Sequence, residues 1–292
     1  MQYIVESALL VHGIRGLSND EIRGAWGEID PRIAWMEQGK IMIDGIDRFL
    51  DFRARMFEGP VRPGAAEPRE AALIAKMTGK TKRVNHFNLD AYAEKGADAV
   101  LTASGAMSVC AREGIDAAVT AGIGGFFPEM LYGKGEVLVT KGDGPPDIAT
   151  LTSLPVRLIS SGPKDMLDCE GTFRFLEQHG VRSLGVERDI YTGYIFTGEE
   201  SRLSGCLSDK GTVLLSDSDD QAVLIVNEIP ENQRIADRAI LDEAVEYGLE
   251  AERQGGYYHP AVNARIEALT EGASARLQLH ALVQNARLAA GL

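Results

Sequence analysis

The run Val156-Arg157-Leu158-Ile159-Ser160-Ser161-Gly162-Pro163-Lys164-Asp165 places an amine directly after an apolar, β-branched stretch and a Gly-Pro turn. That order predicts a buried strand ending before Lys164, followed by a helix over residues 165–179 that opens on Lys164 and Asp165. In open α/β sheets ligands meet the carboxyl ends of the strands, so this lysine is placed to meet a substrate carbonyl. Burial and a helix N-terminus both disfavour the ammonium form, and a neutral amine is the species that attacks a carbonyl to form an imine. A solvated lysine in the first turn of a surface helix carries the same local signature.

Four other places carry groups able to do chemistry. Residues 4–11 are apolar almost throughout, as in a buried strand, and Glu6 interrupts them. A carboxylate there is costly unless paired or protonated, so Glu6 either sits in solvent at the strand's start or serves a site. Lys80-Thr81-Lys82-Arg83-Val84 concentrates positive charge in an acidic chain, as a clamp for phosphate or carboxylate or as a solvated turn. Thr102-Ala103-Ser104-Gly105 combines small residues with a helix start, where free amides attract anions and the backbone can approach a ligand. Gly142-Asp143-Gly144-Pro145-Pro146-Asp147 sets two carboxylates four residues apart in a rigid loop. Such loops bind hard divalent cations through oxygen; they also cap helices, with Asp147 as the N-cap of a helix over 148–153.

The elements that must position these groups alternate strand and helix from residue 1 to about 190, which predicts a doubly wound, mostly parallel α/β/α sheet. Ser18 followed by Glu21 forms a capping box for a helix to about Trp26. Residues 32–44 read as two strands joined at Gln38-Gly39-Lys40, and residues 46–56 return to helical spacing. Residues 58–68 read as a loop, 69–77 as a helix and 136–141 as an edge strand; residues 198–220 are polar and irregular, a loop or lid. The apolar run 222–226 reads as another central strand, and from about residue 235 the chain is helical to its end. The turn Gly122-Ile123-Gly124-Gly125 lacks the spacing and following helix of a dinucleotide fingerprint.

Composition bounds the answer from outside. With 292 residues and 45% hydrophobic content the chain can bury the core of one elaborated domain. A net charge of −13 leaves no basic tract to neutralise a nucleic acid, though a small phosphorylated ligand needs only a local donor pocket. Cys110, Cys169 and Cys206 are too few and too scattered for a disulfide framework, which suits a reducing cytoplasm. The chain opens without a signal-like segment, and no stretch approaches the roughly 18 apolar residues of a membrane helix.

Taken in order, Val5-Glu6-Ser7 with His12-Gly13, Gly122-Ile123-Gly124-Gly125, residues 161–168, residues 175–181, Asn227-Glu228-Ile229-Pro230-Glu231 and residues 285–290 resemble the pseudouridine-5'-phosphate glycosidases, the family that includes indigoidine synthase A. The resemblance implies an α/β/α fold, commonly trimeric, that breaks or forms the carbon–carbon bond between ribose 5-phosphate and uracil with a bound divalent metal, usually Mn2+. On it Glu6 matches the proton donor and Lys164 the lysine that forms an imine with ribose C1. Asp143 falls on the metal-ligand position, Pro145-Pro146-Asp147 on a substrate-binding turn, Ala103 on a substrate-binding backbone amide, and Arg83 where the family has a substrate-binding lysine. An ordinary glycosidase protonates a leaving oxygen between two carboxylates, whereas here the leaving atom is carbon, and an imine at Lys164 is what the resemblance implies for it.

Departures from the family pattern cluster on the base side. Arg83 replaces a lysine, which keeps anion binding and removes a group able to lose its proton. The family's His-Arg is Phe127-Pro128 here, followed by a longer loop, and Gln278 stands where the family presents an asparagine to the uracil edge. These changes point to a different or less polar aglycone and to a C-glycosynthase with a non-uracil acceptor as an alternative to breakdown. The change at Arg83 also admits a non-catalytic protein that binds phosphosugars.

Overall fold

The computed structural model describes residues 1–56, 82–127, 145–207, 221–256 and 258–292. Asp143, Pro128, the loop expected at 58–68, the helix at 69–77 and the edge strand at 136–141 lie outside the described residues.

Strands β1 (Tyr3–Val5), β2 (Ile33–Glu37), β3 (Lys40–Asp44), β4 (Lys82–Val84), β5 (Ala99–Leu101), β6 (Ala117–Val119), β7 (Arg157–Ser160), β8 (Arg182–Gly185), β9 (Ile190–Tyr191), β10 (Ser201–Arg202), β11 (Gly205–Cys206) and β12 (Val223–Val226) alternate with helices. Ten of these strands form one sheet in the order β11-β8-β12-β7-β6-β1-β2-β5-β4, with β3 hydrogen-bonded to β2. Every pairing in it is parallel except β2 with β3 and β2 with β5. Short runs such as Val-Leu-Ile-Val in β12 are buried on both faces, as a parallel sheet covered on both sides requires.

The period of two along each strand sorts the core into two layers. Ile4, Ala34, Leu101, Ala118, Leu158 and Leu224 face helices α4 (Ala103–Glu113), α5 (Pro146–Leu151) and α6 (Cys169–Gln178). Val5, Trp35, Val100, Val119, Ile159 and Ile225 face the opposite layer. That layer comprises α1 (Asn19–Trp26), α2 (Ile46–Met56), α7 (Ala239–Arg253), α8 (Tyr258–Leu269) and α9 (Ala273–Gly291), while α3 (Leu89–Glu94) follows β4. The C-terminal helices are thus one face of a three-layer α/β/α domain. Among the described residues, no helix is long and apolar enough to cross a membrane.

Several sequence expectations hold in detail: the Ser18–Glu21 capping box closes both ways, and Gln38 and Gly39 take the positive φ of a tight hairpin turn. Others are corrected. The strand expected over 4–11 stops at Val5, because the Glu6 carboxylate takes the amides of Ala8 and Leu9 and turns the chain into a π-helix at Leu9–Gly13. The helix expected from 165 begins at Cys169, capped by Asp168, so Lys164 lies in a turn ahead of it. Asp147 is not an N-cap: Pro145 holds that position and Pro146 opens the helix, where its missing N–H costs nothing. Within 198–220 the chain forms the short strands β10 and β11, and the last long helices begin at Ala239 instead of 235.

Candidate active site

From β1 the chain proceeds to β2 on one side, and from β6 it proceeds to β7 on the other, so the winding reverses between β1 and β6. Ligands of open α/β sheets bind outside the carboxyl ends of the strands at such a reversal. Glu6 follows β1 there, Thr120 follows β6, and Lys164 follows β7 after a three-residue turn. Sequence order brings none of them together; the parallel register of Val5 with Val119 and of Val119 with Ile159 does.

Lys164 is fixed by its backbone before its side chain acts. The turns after β6 and β7 zip together: Ser161 N donates to Ala121 O at 2.6 Å, Ile123 N to Gly162 O at 3.0 Å, and Lys164 N to Ile123 O at 3.3 Å. Gly162 has φ +105, and a Cβ there would come within 2.3 Å of the Tyr191 ring, so only glycine fits. The Tyr191 hydroxyl donates to Pro163 O at 2.5 Å. Behind the turn, the Asp165 carboxylate accepts the amides of Tyr194, Ile195 and Phe196 at 2.7, 2.9 and 3.1 Å. From α9, Asn285 donates to Thr120 O and Ser161 Oγ and accepts from Asn227, which ties together the ends of β6, β7 and β12.

The amine of Lys164 stands 3.1 Å from Nε2 of His259, in the first turn of α8. Burial lowers the Lys164 pKa, as does Arg83, against the opposing pull of Asp147 and Glu6. His259 is held well below its ordinary pKa by the Lys164 charge first, then by burial and Arg83. Glu6 is 5% exposed, and burial drives its carboxyl up to about 7. The Leu9 and Ala8 amides and the Lys164 charge oppose that rise, and Asp147 adds to it. Thr120 Oγ1 donates to Glu6 Oε1 at 3.2 Å. An acid poised near neutrality and a lowered amine within each other's field is a pairing suited to proton transfer and carbonyl attack.

The other expected site residues surround this pair. Asp147 spans the site instead of capping its own helix, accepting Ser104 N at 3.0 Å and Gly124 N at 2.8 Å. It thereby fixes the start of α4, where Ala103 is the first residue and its amide has no intrahelical acceptor. Pro145 and Pro146 enter the site only as the rigid approach to Asp147. Arg83 follows Lys82 in β4 and is exposed, with its guanidinium in the field of Glu6. Gln278 lines a cavity of about 10 Å³, together with Lys164, Asp165, Met166 and Tyr194. A larger cleft of about 440 Å³, lined by Arg23, Asp44, Asp47 and Arg48 among others, contains none of these residues. Phe127 packs edge-on against Tyr258 at 4.9 Å, next to His259.

Sequence reasoning missed His259, Thr120 and Tyr194. The Tyr194 hydroxyl is buried with no hydrogen-bond partner among the described residues, and its ring lies against Gly122, where a Cβ would meet it at 2.7 Å. Among the described residues no group of three or more His, Cys, Asp or Glu forms a metal site, and both oxygens of Asp147 are engaged by amides. The described residues therefore assemble no donor set for a divalent ion by themselves.

An open α/β sheet with a lowered amine and a raised carboxyl at its winding reversal is a candidate site for a small ligand. The family model for indigoidine synthase A like proteins matches residues 54–292, and the chain belongs to that family. A pseudouridine-5'-phosphate glycosidase of Thermus thermophilus is 26% identical over 294 residues, covering 98% of this chain and 94% of the relative. One from Caldanaerobacter subterraneus is 27% identical over 262 residues, covering 81% and 82%. Two solved structures share the fold. The indigoidine synthase A-like protein of Thermotoga maritima superposes with a TM-score of 0.70 at 21% identity, covering 99% of this chain and 90% of that one. A prealnumycin C-glycosynthase in complex with ribulose 5-phosphate superposes with a TM-score of 0.67 at 19% identity, covering 98% and 88%.

Proposed function

We propose that this protein is an enzyme that breaks or makes the carbon–carbon bond between ribose 5-phosphate and a base through an imine on Lys164. The observation that carries the reading is the desolvated Lys164 amine, 3.1 Å from His259 and in the field of Glu6 and Asp147. The relatives named pseudouridine-5'-phosphate glycosidases support the substrate class.

In breakdown the Lys164 amine displaces the ring oxygen from C1, and its lone pair then forms the C1=N iminium as the C–C electrons leave on the base carbon; water hydrolyses the iminium to ribose 5-phosphate, and synthesis runs the same steps in reverse. Glu6, protonated at and below about pH 7, supplies the proton to the base carbon as that bond breaks. Its anion then serves as the base in the reverse direction. Arg83 and the amide of Ala103 offer a cation and a helix-start donor for an anionic sugar, Asp147 with Pro145 and Pro146 shapes the turn facing it, and Gln278 reaches the base side. A divalent ion, Mn2+ by family resemblance, held through Asp143, and assembly as a homotrimer in the cytoplasm belong to the same proposal. Chelation that lowers turnover, restored by Mn2+, tests the first, and sedimentation tests the second.

Phe127 against Tyr258 and Gln278 beside Lys164 favour a second reading, in which the physiological direction is synthesis onto a non-uracil acceptor. Incubation with pseudouridine 5'-phosphate and Mn2+, followed by chromatography for uracil, separates the two. Rapid uracil release establishes breakdown. No release, with ribose 5-phosphate still forming a covalent adduct, establishes a different acceptor. Binding of ribose 5-phosphate with neither uracil nor adduct overturns both in favour of a phosphosugar-binding protein.

A further inference from the structure

Lys164 must lose a proton before it can attack, and among the described residues the carboxylates near it are already engaged by other donors. Glu6 takes the Ala8 and Leu9 amides and the Thr120 hydroxyl, and Asp147 takes the Ser104 and Gly124 amides. Among the described residues His259 is the hydrogen-bond partner of the amine, through Nε2 at 3.1 Å. It reaches the site from α8, 95 residues away in sequence, and its neighbour Tyr258 is anchored edge-on against Phe127. Resting on the imine reading above, we propose that His259 is the proton acceptor for Lys164, drawing one proton from the amine to free its lone pair and returning it to the departing oxygen.

The charged groups facing the pair set the direction. Lys164 and Arg83 both disfavour an imidazolium, so the resting pair holds its proton on Lys164 and a neutral Nε2 accepts it. Asp147 and Glu6 are the acids acting on the amine. In the step itself a proton passes from the Lys164 ammonium to Nε2, and the freed pair bonds to the aldehyde carbon while the carbonyl π electrons move to oxygen. The added nitrogen passes one hydrogen to that oxygen. The imidazolium then protonates the new hydroxyl as its C–O bond breaks, water leaves, and the nitrogen lone pair closes the C=N bond. Ammonium plus aldehyde becomes iminium plus water, and His259 ends neutral.

A glutamine at 259 retains a hydrogen-bond acceptor but takes no proton, whereas alanine retains neither, so the two variants separate proton transfer from positioning. Adduct formation on the Lys164 peptide is followed by borohydride quenching and mass spectrometry from pH 6 to 9, with glycolaldehyde as a minimal aldehyde and with ribose 5-phosphate. H259Q and H259A are both expected to form the glycolaldehyde adduct about 100-fold more slowly than wild type, the scale of general acid–base catalysis. The wild-type rate should show a pH dependence that both variants lose, while circular dichroism remains native. H259Q at the wild-type rate and pH profile overturns the proposal and leaves His259 as a positioning residue. H259A at the wild-type rate overturns it outright. If wild type traps glycolaldehyde and not ribose 5-phosphate, the sugar reading fails while the His259 comparison is still decided on glycolaldehyde.

Discussion

Two carboxyls lie on either side of Lys164 and do opposite work, Glu6 buried and Asp165 partly so. Asp165 accepts three consecutive amides and has its charge attracted by Arg238, which binds the 194–196 turn to the lysine loop. Glu6 accepts two amides and one hydroxyl, and burial leaves its carboxyl at about 7. Desolvation pushes both upward; what differs is the task of the donors. Asp165's donors come from a loop that needs an anchor, whereas Glu6's come from the turn that ends its own strand, within the field of the Lys164 amine. One side of the lysine holds shape and the other titrates.

Breaking each side in turn sharpens the contrast. Lys164→Met, which keeps the packing volume and removes the amine, is expected to cut turnover by about 10^4-fold or more, the scale on which a covalent nucleophile is lost. Steady-state assays with the folded variant check this. Glu6→Gln should lower kcat by about 10^2- to 10^4-fold while leaving ribose 5-phosphate binding near wild type. It should also change stability with a defined sign. The Glu6 carboxyl is about 7 in the fold against an ordinary 4.5, so the folded protein holds the extra proton and stability falls as pH rises between those values. E6Q escapes that loss and should gain up to roughly 3 kcal/mol over wild type above pH 8, and nothing below pH 4. Denaturant midpoints at the two pH values test it.

On the holding side, Asp165→Ala orphans three amides and should cost about 2–4 kcal/mol of stability. Activity at a permissive temperature should fall far less than in the E6Q variant. The smallest effect belongs to Thr120→Val, which removes one donor from Glu6 Oε1. It should raise the basic limb of the pH–rate profile by less than about one unit, since one hydroxyl contributes about 1 kcal/mol.

Much of this was legible in the sequence. The order of strand and helix gave the layers, the Ser160-Ser161-Gly162-Pro163-Lys164 run placed an amine at the sheet's carboxyl edge, and a carboxylate in an apolar stretch marked Glu6. What was not legible depends on contacts between distant segments. Asp147 looked like a cap because capping is a local property, but its partners lie 43 and 23 residues away. The helix after Lys164 starts late because Asp165 is committed to amides 29 to 31 residues ahead, which no helical period reveals. His259 sits in the first turn of α8, and its spacing from Lys164 carries no signal; only the packing of α8 against α7 and α9 brings it there.

The central claim is that the Lys164 amine is the nucleophile. Incubating the protein with ribose 5-phosphate, reducing with borohydride and mapping the digest by mass spectrometry tests it most directly. The account predicts one reduced sugar adduct, on the peptide that holds Lys164 and absent from the K164M variant. A protein that turns over its substrate while that peptide stays unmodified, or a K164M variant that keeps its activity, contradicts it.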